Sequence, residues 1–248
     1  MKKFNKKTIF FFVILFIFLI ILTQKSKVPE KVDDYEEVNQ YTVLRKQMVD
    51  TQLRNRDITD EIVLRAMENV PRHKFMPSFH NQAYENHPVP IGYGQTISQP
   101  YIVALMTQEL KVDENDVVLE IGTGSGYQAA VLAELVKEVY TIEIIEELAK
   151  RANNTLNSFY DNVHVMHADG YFGWPNKEFD AIIITAAANH VPPTLIEQLK
   201  DGGKLIIPLA APSGFQTLTL IAKKGNDLET RFITGVRFVP MTGEVQKK

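Results

Sequence analysis

The sequence predicts an α/β protein built around a mostly parallel sheet of seven strands. Short apolar runs alternate with helical patterns through the middle of the chain, from VVLEIG (117–122) to GKLIIPLA (203–210). Continuous apolar runs are typical of strands buried on both faces, and strand–helix alternation is the pattern of parallel sheets. Two strands with no helix between them, FQTLTLIAKK (215–224) and ETRFITGVRFVP (229–240), then predict an antiparallel hairpin at one sheet edge.

A small helical subdomain is predicted in front of the sheet. From Tyr41 onward, apolar residues recur at helical spacing, and Thr59-Asp60-Glu61 is typical of a capped helix start. Pro71 ends that second helix, and the segment 71–100, rich in Pro, Gly, His and Tyr, is predicted to be an ordered loop region. A third helix follows over about 100–110.

Between the predicted helical subdomain and the edge hairpin, the alternation of apolar runs and helical patterns predicts five strands and three helices. The predicted strands are 117–122, 138–143, 162–169, 179–186 and 203–210. The predicted helices are 129–136, 146–158 and 194–200.

Composition excludes several classes of function. The formal net charge of the 248 residues is −3, which gives no sign of a nucleic-acid partner. The absence of cysteine excludes disulfides, thiol catalysis and cysteine-based zinc sites. His164 and His167 lie three apart on a predicted strand and therefore face opposite sides, so we expect no metal site there. We expect a monomer.

The first 23 residues differ in kind from the rest. Four lysines precede an uninterrupted apolar run, residues 9–22, whose helical length of about 21 Å is short of the ~30 Å hydrocarbon core. The run fits a signal segment or a short membrane anchor, and because no small-x-small cleavage site follows it, we favour an uncleaved anchor. The lysine pattern leaves open which side of the membrane carries the protein. Residues 24–40 are predicted to be a polar linker, and 41–248 the folded domain.

The segment VLEIGTGSGYQAA (118–130) predicts the ligand-binding turn. A buried strand leads through Gly122, Gly124 and Gly126 directly into a helix, where glycines let the chain turn tightly against a ligand. A dinucleotide-binding fingerprint would place its third glycine one position later, and Glu120 lies just before the first glycine. The spacing therefore favours a ligand other than NAD.

Acidic residues at neighbouring strand ends define that ligand further. Glu143 ends the second strand, 17 residues after Gly126, where a carboxylate can accept both hydroxyls of a ribose. Asp169-Gly170 ends the third strand, where it could read an adenine edge; for Asp180, at the start of the fourth strand, an ordinary turn acid is an equal alternative. Together these positions predict a nucleoside pocket without a pyrophosphate, which fits S-adenosylmethionine.

The sequence resembles the protein-L-isoaspartate (D-aspartate) O-methyltransferase family from about Met48 to Glu244. Matching segments include VPRHKFMP, PIGYGQTISQP, VLEIGTGSGYQAA and VRFVPMTGE, of which PIGYGQTISQP is specific to that family. The resemblance implies a Rossmann-like class I S-adenosylmethionine-dependent methyltransferase fold. It also implies methyl transfer to the α-carboxyl of L-isoaspartyl residues in damaged proteins, and extends to D-aspartyl residues.

The site residues that the resemblance implies lie in two segments, 95–99 and the segment near the C-terminus that contains Thr242. The resemblance assigns Ser98 to the active site, and we give Thr96 and Ser98 the role of hydroxyl donors; helix capping before Pro100 is the alternative for Ser98. It further implies cofactor contacts from Gln95, Thr96, Ile97, Ser98 and Gln99, and closure over the cofactor by Thr242. With Glu120, Gly122, Gly124, Gly126, Glu143, Asp169 and Gly170, these complete the predicted site.

Three alternatives remain at this point. The chain could methylate another carboxylate or a small molecule, or it could be a membrane-tethered binding module without catalysis. An NAD-dependent oxidoreductase is opposed by the glycine spacing. A cytoplasmic location, as is usual for the family, is the alternative to membrane anchoring.

Overall fold

The structure, a computed structural model, describes residues 34–247, with side chains from residue 40 onward. The chain divides into two units, residues 1–40 and 41–248. The predicted anchor, residues 1–23, lies outside the described residues. Within residues 34–247, none of the helices has the length and apolar character that a membrane span requires.

Seven strands form the central sheet in the order β5-β4-β3-β6-β7-β8-β9. The pairs from β5 to β7 are parallel and the pairs β7–β8 and β8–β9 are antiparallel, which confirms the predicted sheet and its edge hairpin. The strands are β3 Val117–Ile121, β4 Glu138–Glu143, β5 Val163–His167, β6 Phe179–Ile184, β7 Leu199–Ala210, β8 Gln216–Lys224 and β9 Asp227–Val236.

The strand order places a ligand site at the carboxyl end of β3. The chain runs from β3 outward to β5 and then returns to β6 on the other side of β3, so the strand order reverses there. In open α/β sheets, ligands bind in the crevice at such a reversal. The helices that connect these strands are α4 Tyr127–Ala133, α5 Glu146–Leu156 and α6 Pro193–Glu197.

The N-terminal helices are α1 Asp34–Met48, which continues as a π-helix over Val49–Arg54, α2 Glu61–Asn69 and α3 Pro100–Leu110. From residue 41 onward they pack on one face of this sheet. The α2 cap is as predicted, because the Asp60 carboxylate accepts hydrogen bonds from the backbone N–H groups of Ile62 and Val63. Helix α1 begins within the segment that the sequence analysis assigns to the linker.

Alternate residues along β3 divide between two hydrophobic cores. Val118 belongs to the core shared with α2, α3, α4 and α5, whereas Leu119 and Ile121 belong to the core on the opposite face, with α6 and the C-terminal segment. Glu120 faces the same side as Val118, because strand side chains alternate, and it is fully buried. It is a polar exception in an apolar strand.

The predicted helix 129–136 is observed as Tyr127–Ala133, and the predicted strand 229–240 as Asp227–Val236. Two further differences concern the type of local structure. The loop region 71–100 contains an antiparallel hairpin, β1 Val89–Gly92 and β2 Gln95–Ile97, which the sequence analysis did not predict. The predicted helix 194–200 ends at Glu197, because the buried Leu199 pairs with Phe179 and starts β7 early.

Candidate active site

A cleft opens at the carboxyl ends of β3, β4 and β6. Ten of the predicted site residues line it: Gln95, Thr96, Ile97, Ser98, Glu120, Gly122, Gly124, Glu143, Gly170 and Thr242. Three do not, namely Gln99, Gly126 and Asp169. The sheet thus brings together residues that lie as far apart in sequence as the β1–β2 hairpin and the C-terminal segment.

Two glycines of the turn after β3 lie where a side chain would collide with neighbouring residues. Gly122 has a φ of +99°, and a Cβ there would lie 2.6 Å from the Thr185 hydroxyl oxygen. That hydroxyl donates to the carbonyl oxygens of Gly122 and Ile121, which ties the end of β6 to the end of β3. Gly126 has a φ of +87°, and a Cβ there would crowd Leu156 of α5. Gly122 therefore shapes the cleft wall, whereas Gly126 allows α4 to pack on α5.

Glu143 connects the glycine turn to the end of β4. Its Oε2 accepts a hydrogen bond from the Gly124 N–H at 2.8 Å, and its Oε1 accepts one from the Ile145 N–H at 2.9 Å. The side chain is buried but lines the cleft. Each carboxylate oxygen keeps a further lone pair, so the group can still accept hydroxyls from a bound ribose.

Glu120 lies deeper in the same wall, at the end of a chain of hydroxyls. The Thr123 hydroxyl hydrogen-bonds to the Thr141 hydroxyl, which donates to Glu120 Oε2 at 2.5 Å. Oε1 has no hydrogen-bond partner among the described residues. Burial raises the pKa of this carboxyl to about 8, and the nearby Glu143 charge acts in the same direction.

Thr96 and Ser98 present hydroxyls that the fold does not use. Within the described part of the chain, neither side chain has a hydrogen-bond partner, and helix α3 is capped at Gln99 without any side-chain bond. The capping alternative for Ser98 is therefore wrong in this structure. Both residues line the cleft and also a second cavity next to it.

That second cavity is an open groove between the start of α3 and the segment after β9. Thr96, Ser98, Thr185 and Val239 form the wall that it shares with the cleft. Its remaining lining comes from Pro88, Gln99, Ile102, Phe215, Gly235, Val236, Arg237 and Phe238. Gln99 thus lies at the groove, and its amide donates to the Asn86 carbonyl oxygen at 2.9 Å.

Asp169 binds backbone outside the cleft lining. Its Oδ1 accepts from the Tyr171 N–H at 2.9 Å, and its Oδ2 accepts from the Glu244 N–H at 2.8 Å. The second bond holds the C-terminal segment that carries Thr242 into the cleft. We call this arrangement of Asp169, Gly243 and Glu244 the clasp.

Several residues that support the cleft were not predicted. Thr141 supports Glu120, and Thr185, which lines the cleft, supports the glycine turn; each is a polar residue within or directly after an observed strand. That local signal could have found them. No such signal existed for Arg151 of α5, which donates to the Ile91 carbonyl oxygen at 2.7 Å and so holds the β1–β2 hairpin over the cleft.

Charges are few around both cavities. Among their described lining residues, the charged side chains are Glu120 and Glu143 in the cleft and Arg237 in the groove. Neither lining contains a histidine or lysine that could serve as a general base. The arrangement suits a reaction between groups that need no proton removed.

The fold and the cleft together define a class I S-adenosylmethionine-dependent methyltransferase. The strand-reversal cleft, the glycine turn and the Glu143 carboxylate at the end of β4 fit the cofactor without a pyrophosphate site. More specifically, the family model for "Protein-L-isoaspartate(D-aspartate) O-methyltransferase (PCMT)" matches residues 44–246, and the chain belongs to this family.

Curated relatives and solved structures agree with this assignment. A protein-L-isoaspartate O-methyltransferase 2 of Shewanella sediminis is 54% identical over 94% of this chain and 96% of its own length. The corresponding protein of Opitutus terrae is 54% identical over 81% of this chain and 87% of its own.

Among solved structures, a protein-L-isoaspartate O-methyltransferase superimposes with a TM-score of 0.76 at 28% identity, covering 81% of this chain and 67% of that one. A Plasmodium falciparum protein described as a putative protein-L-isoaspartate O-methyltransferase, in complex with S-adenosyl-L-homocysteine, gives 0.71 at 26% identity and covers 80% and 98%.

Proposed function

We propose that the chain methylates the α-carboxyl group of L-isoaspartyl residues in damaged proteins, with Ser98 and Thr96 as the hydroxyl donors that orient that carboxylate. The observation that carries the assignment of roles is the wall shared by the two cavities. Thr96 and Ser98 line both the cofactor cleft and the groove, and their hydroxyls have no other partner among the described residues.

The chemistry of the acceptor explains why the site holds so few titratable groups. A carboxylate with an ordinary pKa near ~4 is already an ionised nucleophile at pH 7. Bound S-adenosylmethionine supplies a methyl group that its sulfonium has already activated. The protein therefore has to bring the two together, orient the carboxylate oxygen and exclude water. Hydroxyl donors do this without the strong ground-state stabilisation that an adjacent cation would give.

The groove supports a polypeptide acceptor. It lies beside the segment after β9, where the Gln216 side chain accepts from the Phe238 N–H and donates to the Phe238 carbonyl oxygen. A groove that is only partly enclosed leaves room for the chain on both sides of a modified residue, whereas a small-molecule pocket encloses its ligand. Arg237 is exposed at the groove and does not line the cleft.

A pair of matched peptides tests the proposal. The two peptides share one sequence, but one has an L-isoaspartyl residue where the other has aspartate. We expect methyl transfer to the isoaspartyl peptide only, and a third peptide with D-aspartate measures the second acceptor that the family name includes. Equal methylation of the first two, or methylation of neither, would contradict the proposal.

Residues 1–23 we propose to be an uncleaved membrane anchor. The support is the lysine-flanked apolar run itself and the match with the Shewanella sediminis protein. That match covers 94% of the chain, and because 6% of 248 residues is about 15, it includes at least part of the run. The Shewanella sediminis protein therefore has sequence that aligns with at least part of the apolar run.

Fractionation of cells that express the full chain or a variant lacking residues 1–23 tests the anchor. We expect the full chain in the membrane fraction after an alkaline wash and the shortened chain in the soluble fraction. A full chain that stays soluble would contradict anchoring and favour the cytoplasmic alternative. A topology reporter after Lys248 then determines which side carries the methyltransferase domain.

A further inference from the structure

The buried wall of the cofactor cleft contains two acceptor oxygens without donors. Glu120 Oε1 and Gln128 Oε1 are both buried and have no hydrogen-bond partner among the described residues, and both side chains belong to the cleft lining. The Gln128 amide nitrogen is occupied, since it donates to the Thr107 hydroxyl at 2.9 Å. Buried acceptors without donors are rare and costly, and no described protein group donates a hydrogen to these two oxygens.

The surroundings of Glu120 favour its neutral form. On β4, the paired residue Thr141 offers one hydroxyl, and on β6 the paired residue is the apolar Ile183. The charged group that acts on it is Glu143, which is negative. No cation among the described residues faces this carboxyl. A protonated Glu120 would bring the missing hydrogen to the wall and remove an uncompensated buried charge.

We propose that Glu120 carries a proton in the cofactor-free protein and releases it to solvent when a positively charged group of the cofactor enters the cleft. A cation beside a buried carboxyl favours the carboxylate, and the cofactor brings two cations, the sulfonium and the amino group. One positive charge of the ligand thus takes the place of the proton on Glu120. The carboxylate and the cation beside it together carry no net charge, as the protonated carboxyl did.

This exchange would distinguish cofactor from product. Methyl transfer converts the cationic sulfonium into a neutral thioether, so the product offers less positive charge to hold Glu120 ionised. Glu120 would then favour the cofactor over S-adenosylhomocysteine in proportion to its contact with the sulfonium. The inference rests on the cofactor and not on the proposed protein acceptor, and no acceptor is needed to test it.

Isothermal titration calorimetry of the full-length chain provides the direct measurement. Titration with S-adenosylmethionine, without acceptor, is performed at pH 7.0 in two buffers of different ionisation enthalpy, and the difference in heat gives the protons released. Burial raises the pKa of Glu120 to about 8, so the free protein is largely protonated at this pH. We expect between about half and one proton released per cofactor bound.

S-adenosylhomocysteine provides the second arm. A smaller release with it than with S-adenosylmethionine assigns the effect to the sulfonium, and an equal release assigns it to the amino group; either supports the proposal. Absence of proton release with both ligands would overturn it, whatever the variants show.

Variants assign the proton to Glu120. Glu120→Gln keeps the shape without a titratable proton, and we expect its release to fall to zero while binding persists. Thr141→Val removes the hydroxyl that donates to the carboxylate, so release should continue with its pH midpoint shifted upward. The exposed Glu229→Gln is the matched control and should match the wild type. Unchanged release in Glu120→Gln would overturn the assignment. If Glu120→Gln does not fold, an unshifted pH midpoint of release in Thr141→Val would overturn it instead.

Discussion

The Asp169 clasp makes a prediction that separates two roles for one carboxylate. The sequence analysis gives Asp169 a contact with adenine, whereas in the structure both its oxygens accept backbone N–H groups, one of them from Glu244. Asp169→Asn keeps the size of the side chain but turns an NH₂ group toward one of these donors. If the carboxylate acts as a clasp, the cofactor-free protein loses stability; if it only reads adenine, it does not.

The expected loss follows from the bonds that change. A hydrogen bond to a charged group contributes about 1.5–3 kcal/mol, and Asp169 is partly exposed, which reduces that figure. Asp169→Asn removes one of these hydrogen bonds, and the remaining one is made to a neutral oxygen instead of a carboxylate. We therefore expect a loss of about 1–2 kcal/mol in the free energy of unfolding. For a domain of this size, that corresponds to roughly 3–6 °C in the melting temperature.

Urea unfolding of the cofactor-free protein measures this loss, and calorimetry with S-adenosylhomocysteine measures binding in parallel. The clasp predicts weaker binding as well, because Thr242 is carried on the segment that Asp169 holds. A variant whose stability stays within about 0.5 kcal/mol of the wild type, with binding lost, would refute the clasp and support the adenine contact.

A pair of glycine variants provides an independent check. In Gly243→Ala, the new Cβ would lie 2.4 Å from Asp169 Oδ2, and the residue has a φ of +98°. Gly214 has a similar φ of +83°, and a Cβ there would have nothing within 4 Å, so Gly214→Ala isolates the backbone strain of about 1 kcal/mol. We expect Gly243→Ala to be the less stable of the two by about the energy of the broken bond.

Other substitutions test the remaining parts of the site. Ser98→Ala should lower the methylation rate about a hundredfold while S-adenosylhomocysteine binds nearly normally, and an unchanged rate would remove Ser98 from catalysis. Glu143→Gln should weaken S-adenosylhomocysteine binding about tenfold or more by calorimetry, because its carboxylate holds both the Gly124 and Ile145 N–H groups. The folded-state pKa of Glu120 is raised from 4.5 to about 8, so the folded chain binds more protons than the unfolded chain between these pH values. The free energy of unfolding of the cofactor-free protein should therefore fall by up to about 5 kcal/mol as the pH rises from 4.5 to 8. Urea unfolding of Glu120→Gln across this range should show a flatter profile. Gly170→Ala would place a Cβ 2.4 Å from Ile121 Cγ2, and we expect it to destabilise the chain by about 1–3 kcal/mol in urea.

The sheet could be predicted from the sequence because its strands are marked by local patterns. The continuous apolar runs gave the bounds of β4 to the residue, and the missing helix before β9 predicted the antiparallel edge. The glycine turn and Glu143 were found for the same reason, since both follow directly from strand ends.

What the sequence did not reveal depends on contacts between distant residues. The Arg151 bond to Ile91 joins residues 60 apart, and the Asp169 bond to Glu244 joins residues 75 apart. Neither leaves a periodic pattern. The β1–β2 hairpin was missed because Gly92, Tyr93 and Gly94 all have positive φ, which produces a tight turn in a segment too short and too rich in proline to indicate strands.

The wall shared by the cleft and the groove also bears on inhibitor design. Because Thr96, Ser98 and Thr185 border both cavities, ligands bound in the cleft and in the groove would meet beside these residues. One molecule that joins an adenosyl group to a carboxylate-bearing peptide would fill both sites, and its second half would bind at a high effective concentration. Such a linked compound can exceed the affinity of either half by about a hundredfold or more. Selectivity over other methyltransferases would come from the peptide half, since the groove is the acceptor site that we propose, whereas the cleft takes a cofactor that many enzymes share.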